Sequence, residues 1–385
     1  MKNYIPLYPP NIPRKSLDYL KKCVDENMVS TGGNLINIFE SKISNITSSK
    51  YAVAFNSGTA ALHIALKVIG VKESDEIIVP TLTFIATINS VIYNKCSPIF
   101  MDSDEDYNID VRKVIHFLNK ETIFKKKFSF NKKTKKRIFA IIVTHVWGNA
   151  ANILKLKKIC REKNIKIIED ASESLGTYYK KNQKHTGTLG DIGVLSFNAN
   201  KIITTGGGGM LLTNKLKYSK LAKYYSLQAK DDPIFFVHNN VGYNYRMTNI
   251  SAALGLHQSI ELTKILKKKK KIRNLYLEYF KNKKKVSFFQ GTDHSKNNNW
   301  MNIVRVNFDK KGSLKKIINL FEKKGVQVRP VWKLNHTQKP FKKFQAYQIK
   351  NAFRLVKKSL CLPSSINLSK KDILRITNLF DLRYE

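Results

Sequence analysis

The sequence predicts an α/β protein: a large domain on a mostly parallel sheet, then a smaller α+β domain. Three observations carry this. Short apolar runs alternate with helical periodicity from residue 51 to residue 213. Those runs are apolar on both faces, which is how strands of a parallel sheet covered on both sides read. Near residue 248 the alternation stops, and a long helical stretch leads into a mixed pattern.

Seven strands are predicted: residues 51–55 (YAVAF), 76–80 (EIIVP), 97–102 (SPIFMD), 137–146 (RIFAIIVTHV), 165–170 (IKIIED), 193–197 (GVLSF) and 209–213 (GMLLT). Helices fill residues 57–70, closed by Gly70, then 84–93, 109–120 and 153–164. One continuous helix is expected over MTNISAALGLHQSIELTKILKKKKKIRNLYLEYF, with Gly255 tolerated inside it. A strand at 301–308, a helix at 313–325 and a strand at 326–332 follow. The domain border is placed at 250/251, giving 1–250 and 251–385.

Hydrophobic residues make up 42% of the 385 and charged residues 25%, an ordinary globular balance. The charge is not ordinary: 69 Lys plus Arg against 28 Asp plus Glu leaves +41. Such a field attracts anions, nucleic acid included. The lysine runs at 125–127, 132–137 and 267–271 read as solvated faces, and no zinc-finger, helix-turn-helix or RNP signature accompanies them. A nucleic-acid-binding protein is therefore the competing class, and no nucleic-acid partner is expected. The four cysteines are far apart in sequence, with no C-x-x-C, which points to a reducing compartment. The start lacks an apolar leader and no run is long enough to span a bilayer, so a cytoplasmic protein without membrane contact is expected. No metal-ligand spacing appears, and no metal is expected.

Ligands of parallel α/β sheets bind beyond the carboxyl ends of the strands. After the first strand, NSGTAAL offers Asn56 or Ser57 as helix cap and Gly58 for close approach, where free N–H groups attract phosphate. IKIIED ends in Glu169 and Asp170, whose side chains point to opposite faces. After GVLSF, Lys201 precedes the glycines 206–209; this is not the Walker order, which needs lysine after glycine. Desolvated there, a lysine becomes a nucleophilic amine, and the glycines are expected to let the chain fold tightly beside a planar group. Each feature alone also suits an ordinary cap, strand end or surface lysine. Together they match pyridoxal phosphate, which needs a lysine for its Schiff base, an acid at its pyridine nitrogen and a phosphate cup.

YAVAFNSGTAALHIAL, PTLTFIAT, IIEDASESLG, GTLGDIGVLSFNANKIITTGGGGML and GYNYRMTNISAALGLHQ resemble, as an ordered set, the DegT/StrS-type sugar aminotransferases, which are fold-type I pyridoxal-phosphate enzymes. The resemblance spans residues 4 to 260 and, more weakly, the remainder. It implies Lys201 as the Schiff-base lysine and Asp170 as the acid at the pyridine nitrogen. Glu173 stands where many members have a Gln touching the cofactor's phenolic oxygen. Gly58, Thr59 and Ser196 are implied phosphate ligands and Phe84 the stacking aromatic. Asn244, in GYNYR, resembles the residue a partner subunit sends to the phosphate, which implies a homodimer with active sites at the interface. His145, His185 and His336 are the implied substrate-side positions, the last in the segment of Arg329 and Trp332. Trp147 suits either core or pocket wall. FNANKIITTGGGGM and QAKDDPIFFVHNNVGYNYRMTN look most like transaminases of UDP-linked 4-keto sugars in bacillosamine and legionaminic acid pathways, with a GDP-linked sugar close behind. The expectation is amino transfer from L-glutamate to C4 of such a sugar for surface glycan biosynthesis. A pyridoxal-phosphate dehydratase on the same substrates is the nearer alternative; related dehydratases carry His where Lys201 stands.

Overall fold

A computed structural model describes residues 4–307 and 313–381. Its centre is a twisted sheet flanked by helices. The predicted strands form as β1 (Tyr51–Phe55), β2 (Glu76–Pro80) and β3 (Ser97–Met101). A hairpin of β4 (Thr122–Lys125) and β5 (Phe128–Asn131) precedes β6 (Arg137–Thr144), β7 (Lys166–Asp170), the short β8 (Tyr178–Tyr179), β9 (Ile192–Ser196) and β10 (Gly209–Thr213). The spatial order is β1-β10-β9-β7-β6-β2-β3. β9, β7, β6, β2 and β3 run parallel, while β10 is antiparallel to both of its neighbours. The sheet is thus mostly parallel, as its unbroken apolar strands require.

Helices follow the strands where their caps dictate. α1 (Ser16–Asp25) and α2 (Leu35–Thr47) precede the sheet, and α3 (Gly58–Ile69) starts at Ser57, whose side chain accepts from the Ala60 N–H. α3 ends at Gly70, whose φ of 94° needs a residue without Cβ. α4 (Ile85–Tyr93), α5 (Val111–Lys120), α6 (Ile153–Glu162) and α7 (Leu216–Ser226) complete the layers. One apolar core joins α3 to one face of the sheet through Ile64, Leu66, Val79 and Ile142. A second joins α5 and α6 to the other face through Phe117, Ile141 and Leu156.

Several details depart from the sequence pattern. The polar stretch around the first two lysine runs is not a bare loop. It forms the β4–β5 hairpin, turned at Lys126 and Lys127 with positive φ, and β5 adds to β6. The single long helix is two, α8 (Asn249–Ile260) and α9 (Leu262–Phe280), broken at Glu261. α8 packs on α1 and α2; a Cβ on Gly255 would stand 2.6 Å from Thr205 and 3.1 Å from Phe39, so the glycine permits that contact.

The C-terminal segment builds its own antiparallel sheet from Val286–Phe288, Asn302–Val306, Ser359–Leu362 and Arg329–Pro330. Phe280, Ile317, Phe321, Ile376 and Phe380 form its core with α9 and the helices Leu314–Lys323 and Lys370–Asp381. Of the strand expected over 326–332 only Arg329–Pro330 pairs, and Val326 makes a single bridge with Ile5. Phe308, the end of the expected 301–308 strand, lies outside the described residues. The segment also returns Ala346–Tyr347 to the large sheet, parallel to β3, so the chain crosses the border drawn at residue 250.

Candidate active site

The carboxyl ends of β6, β7 and β9 and the start of α3 enclose a cavity of about 630 Å³. Its phosphate-sized corner is set by α3. A Cβ on Gly58 would lie 2.9 Å from Ser196 Cβ, so only glycine lets the first turn close on the end of β9. The first-turn N–H groups of Gly58 and Thr59 have no intrahelical acceptor by helix geometry. The hydroxyls of Thr59, Ser172 and Ser196 line the cavity around them. Positive dipole and free donors at a helix start favour an anion.

Opposite lies Asp170, 4% exposed. Thr87 Oγ1 donates to its Oδ2 at 2.6 Å and the Ser172 N–H to its Oδ1 at 3.2 Å. Thr83 bridges Thr87 (3.1 Å) and Thr144 (3.2 Å), so a file of hydroxyls backs the carboxylate.

Lys201 enters from the turn after β9, closed by its own N–H on Asn198 O. Its side chain is 13% exposed, with Nζ 3.4 Å from Glu173 Oε1 and 4.3 Å from the centre of the Trp300 ring. Glu173 also accepts the Trp147 N–H at 2.7 Å. Burial pushes the Glu173 carboxyl up to about 7 and Asp170 adds to the rise, against the opposing pull of Lys201 and the Trp147 N–H. Asp170, Glu173 and Lys201 therefore form one electrostatic unit. Phe84 caps α4 at the mouth, half exposed, 6.2 Å from Trp332, which lies 5.4 Å from Trp147. All three tryptophans of the chain line this cavity. Exposed Arg329 and Lys333 line it as well, so its entrance is cationic.

The glycine run does more than border the cavity. Gly207 and Gly208 border the cavity, but a Cβ on Gly209 would sit 2.4 Å from Ser57 O and one on Gly208 2.1 Å from Thr205 Oγ1. Gly209 is small because it packs against the Ser57 and Gly58 backbone at the α3 start, and Gly208 because it packs against the Thr205 and Met247 side chains.

Gly58, Thr59, Phe84, Asp170, Glu173, Ser196 and Lys201 thus come together, with Trp147 as wall. The three histidines lie outside the cavity lining. His145 is fully buried on the opposite face of the sheet; its Nδ1 accepts the Ala151 N–H and its Nε2 donates to Glu169 at 2.9 Å. His185 holds its own loop, accepting the Gly176 N–H at 2.9 Å and donating to Thr186 O, and burial lowers its pKa to about 4. His336 Nδ1 pairs with Thr81 Oγ1 at 2.6 Å. Asn244 sits exposed on the loop after α7 and does not reach its own cavity. Thr83, Thr87, Thr144, Ser172, Trp300 and Lys333 were missed. Of these, Thr83 and Thr87 stood in the quoted motif PTLTFIAT, on either side of Phe84, and Ser172 in IIEDASESLG, without being singled out.

The residues fit pyridoxal phosphate. The cup suits a dianion, Asp170 is aimed inward with acceptor capacity left, and the Lys201 amine faces the same space. The model of the DegT/DnrJ/EryC1/StrS aminotransferase family matches residues 10–381. The chain belongs to this family. The aminotransferase takes pyridoxal 5′-phosphate as cofactor. It is 34% identical over 380 residues to GDP-perosamine synthase of Escherichia coli O157:H7, covering 97% of this chain and 96% of that one. It is 30% identical over 292 residues to UDP-4-amino-4,6-dideoxy-N-acetyl-beta-L-altrosamine transaminase of Campylobacter jejuni, covering 74% and 72%. Its fold matches the structure of a GDP-4-keto-6-deoxymannose-3-dehydratase with a trapped PLP-glutamate geminal diamine at a TM-score of 0.86, with 22% identity and 97% and 99% coverage.

Proposed function

We propose that this aminotransferase moves an amino group from L-glutamate to C4 of a nucleotide-linked 4-keto-6-deoxy sugar, leaving 2-oxoglutarate. The observation that carries the reading is the convergence of Lys201, Asp170 and Glu173 with the α3 phosphate cup in one cavity. Bound there, pyridoxal phosphate supplies an electron sink for charge developed at the carbon that carries the amine. The protein's own residues do the rest. The Gly58 and Thr59 amides with Ser172 and Ser196 hold the phosphate. Asp170 holds a proton on the ring nitrogen. Lys201 anchors the cofactor and moves the proton at Nζ, worth about 10²–10⁴-fold as general acid–base help.

Arg329 and Lys333 beside the tryptophans suit a diphosphate next to a flat base. The lead substrate class is UDP-linked. A GDP-linked sugar stands close behind, and nearer among the relatives: GDP-perosamine synthase is 34% identical over 97% of this chain, the UDP-amino-sugar transaminase 30% over 74%. The proposal includes a role in surface glycan biosynthesis in the cytoplasm, with which four free, buried cysteines, suited to a reducing compartment, agree. A homodimer is part of the proposal. Ile234, Phe235, Phe236 and Val241, between 69% and 78% exposed, stand on the loop that carries Asn244, and an apolar patch of that kind favours burial against a second copy.

The test mixes the purified protein with glutamate and a panel of UDP- and GDP-linked 4-keto sugars, with products identified by mass and NMR. A new C4 amine on one of them is expected. A product that has gained no amine and lost one hydroxyl would instead make the protein a dehydratase.

A further inference from the structure

The lysine run at 267–271 hides one residue that is not on the surface. Lys269 is fully buried in α9, whereas its four lysine neighbours are exposed. Nζ donates to Trp300 O at 2.6 Å and to Ser364 O at 2.5 Å, and lies 4.5 Å from the centre of the Tyr8 ring. Among the described residues no carboxylate pairs with it. A buried cation without a counter-charge is costly, and burial alone lowers the Lys269 pKa well below its ordinary value. Two carbonyl oxygens and the face of the Tyr8 ring offer Nζ one acceptor for each of its N–H bonds.

What those bonds hold leads to the active site. Trp300, 3% exposed, is fixed at its backbone by the Lys269 clamp on its carbonyl and by its own N–H on Asn298 Oδ1. The Asn298 amide donates to the carbonyls of Glu173 and Leu175. At its other end the Trp300 indole N–H donates to Asn200 O at 2.7 Å, one residue before Lys201, and the ring face covers Lys201 Nζ.

We propose that Lys269 is a positioning residue for the reaction: it fixes the Trp300 backbone, and Trp300 fixes the turn that presents Lys201 and shields its amine. The inference rests on the reading of Lys201 as the cofactor's anchor. A methionine in place of Lys269 fills the same space but leaves two buried carbonyls without donors. Trp300→Phe keeps an aromatic face but drops the bond to Asn200.

The experiment measures how fast trinitrobenzenesulfonate labels Lys201 in the cofactor-free protein, read by peptide mass spectrometry, for wild type, Lys269→Met, Trp300→Phe and the double variant. Each single change is expected to raise the rate about threefold to tenfold, and the double change no more than the larger single, because the two residues act in series. In the loaded enzyme, kcat is expected to fall by about tenfold in either variant with KM for the sugar within about twofold, since the lost alignment acts after binding. A double-variant rate equal to the product of the singles would overturn the proposal. So would Lys269→Met that melts earlier yet labels at the wild-type rate. Should Lys269→Met not fold, an unchanged rate in Trp300→Phe overturns it alone. Labelling needs no cofactor, so a wild type that binds none would sink the reading of the anchor and leave this result standing.

Discussion

Two adjacent carboxylates at the end of β7 sit on opposite faces of one sheet and do opposite work. Glu169 is fully buried and saturated with donors: the N–H groups of Gly187 (2.8 Å), Leu189 (2.6 Å) and Gly190 (2.6 Å), plus His145 Nε2. Burial alone would raise its pKa, but His145 and the backbone donors hold it below the ordinary glutamate value. Nothing of Glu169 is left for a ligand; it ties the 185–190 loop to the sheet. Asp170 takes one hydroxyl and one N–H and turns its remaining capacity into the cavity. The lesson is that burial alone does not mark a catalytic acid. Unspent hydrogen-bonding capacity, aimed at a cavity, does.

The largest expected effect tests the cavity side. Lys201→Ala should abolish turnover, a loss on the order of 10⁴-fold or more, and remove the visible absorbance of the lysine-linked cofactor. The fold should survive, because the Lys201 side chain spans the cavity rather than the core. Full activity in this variant would reject the assignment of the site.

Next, the two carboxylates can be separated directly. Asp170→Asn should cut kcat by about 100-fold or more and move the midpoint of urea unfolding little, since the amide keeps the side chain's shape and both neighbours remain bonded. Glu169→Gln should do the reverse: it sets an amide N–H against inward-pointing N–H groups and should cost about 3 kcal/mol of stability, with the remaining folded protein active. If both variants lost activity with unchanged stability, the division between the two faces would be wrong.

A third buried carboxylate sharpens the contrast through pH. The Glu173 carboxyl is pushed from 4.5 up to about 7, mainly by burial, so the folded state binds a proton that the unfolded chain has released. Stability from this group therefore declines as pH rises from about 4.5 to about 7, and the loss is complete above that. Glu169, displaced downward, contributes stability present above 4.5 and lost as pH falls below it. In cofactor-free protein, Glu173→Gln should flatten the decline across that window and gain up to about 3 kcal/mol at pH 8. Urea unfolding at pH 5 and pH 8 checks this; an unchanged difference between the two would place the Glu173 proton elsewhere.

Much of this was legible because parallel strands covered on both faces read as unbroken apolar runs with helices between them. The seven strands followed from the apolar runs, and Gly58, Asp170 and Lys201 from the strand ends; Thr59, Glu173 and Ser196 followed only from the resemblance to the sugar aminotransferases. His145 escaped a reading that neglected the alternation separating Glu169 from Asp170: Thr144 lines the cavity, so His145 beside it faces away. Lys269 was hidden by composition, although Leu262, Ile265, Lys269, Ile272, Tyr276 and Phe280 fall at helical spacing on one buried stripe. Trp300 carried no readable pattern, and Ser172 had no mark of its own inside IIEDASESLG, because only the folded path of the chain brings them to Lys201 and Gly58.

The smallest expected effect concerns what keeps Asp170 unspent. Thr87 donates to it from the first turns of α4, and Thr83 and Thr144 stand behind that hydroxyl rather than on the carboxylate itself. Thr87→Val keeps the β-branched shape and removes one charge-assisted hydrogen bond, worth about 1.5–3 kcal/mol when buried. Part of that is recovered, since Asp170 keeps the Ser172 N–H and the proton on the cofactor ring. The expected result is a fall in kcat of about fivefold to tenfold, with KM for glutamate nearly unchanged and a smaller fall than in Asp170→Asn. Combining the two should show no added loss, because the threonine acts only through the carboxylate it orients. A product of the two losses would mean that Thr87 contacts the reacting groups on its own account, and the hydroxyl file would then belong to the catalytic machinery rather than behind it.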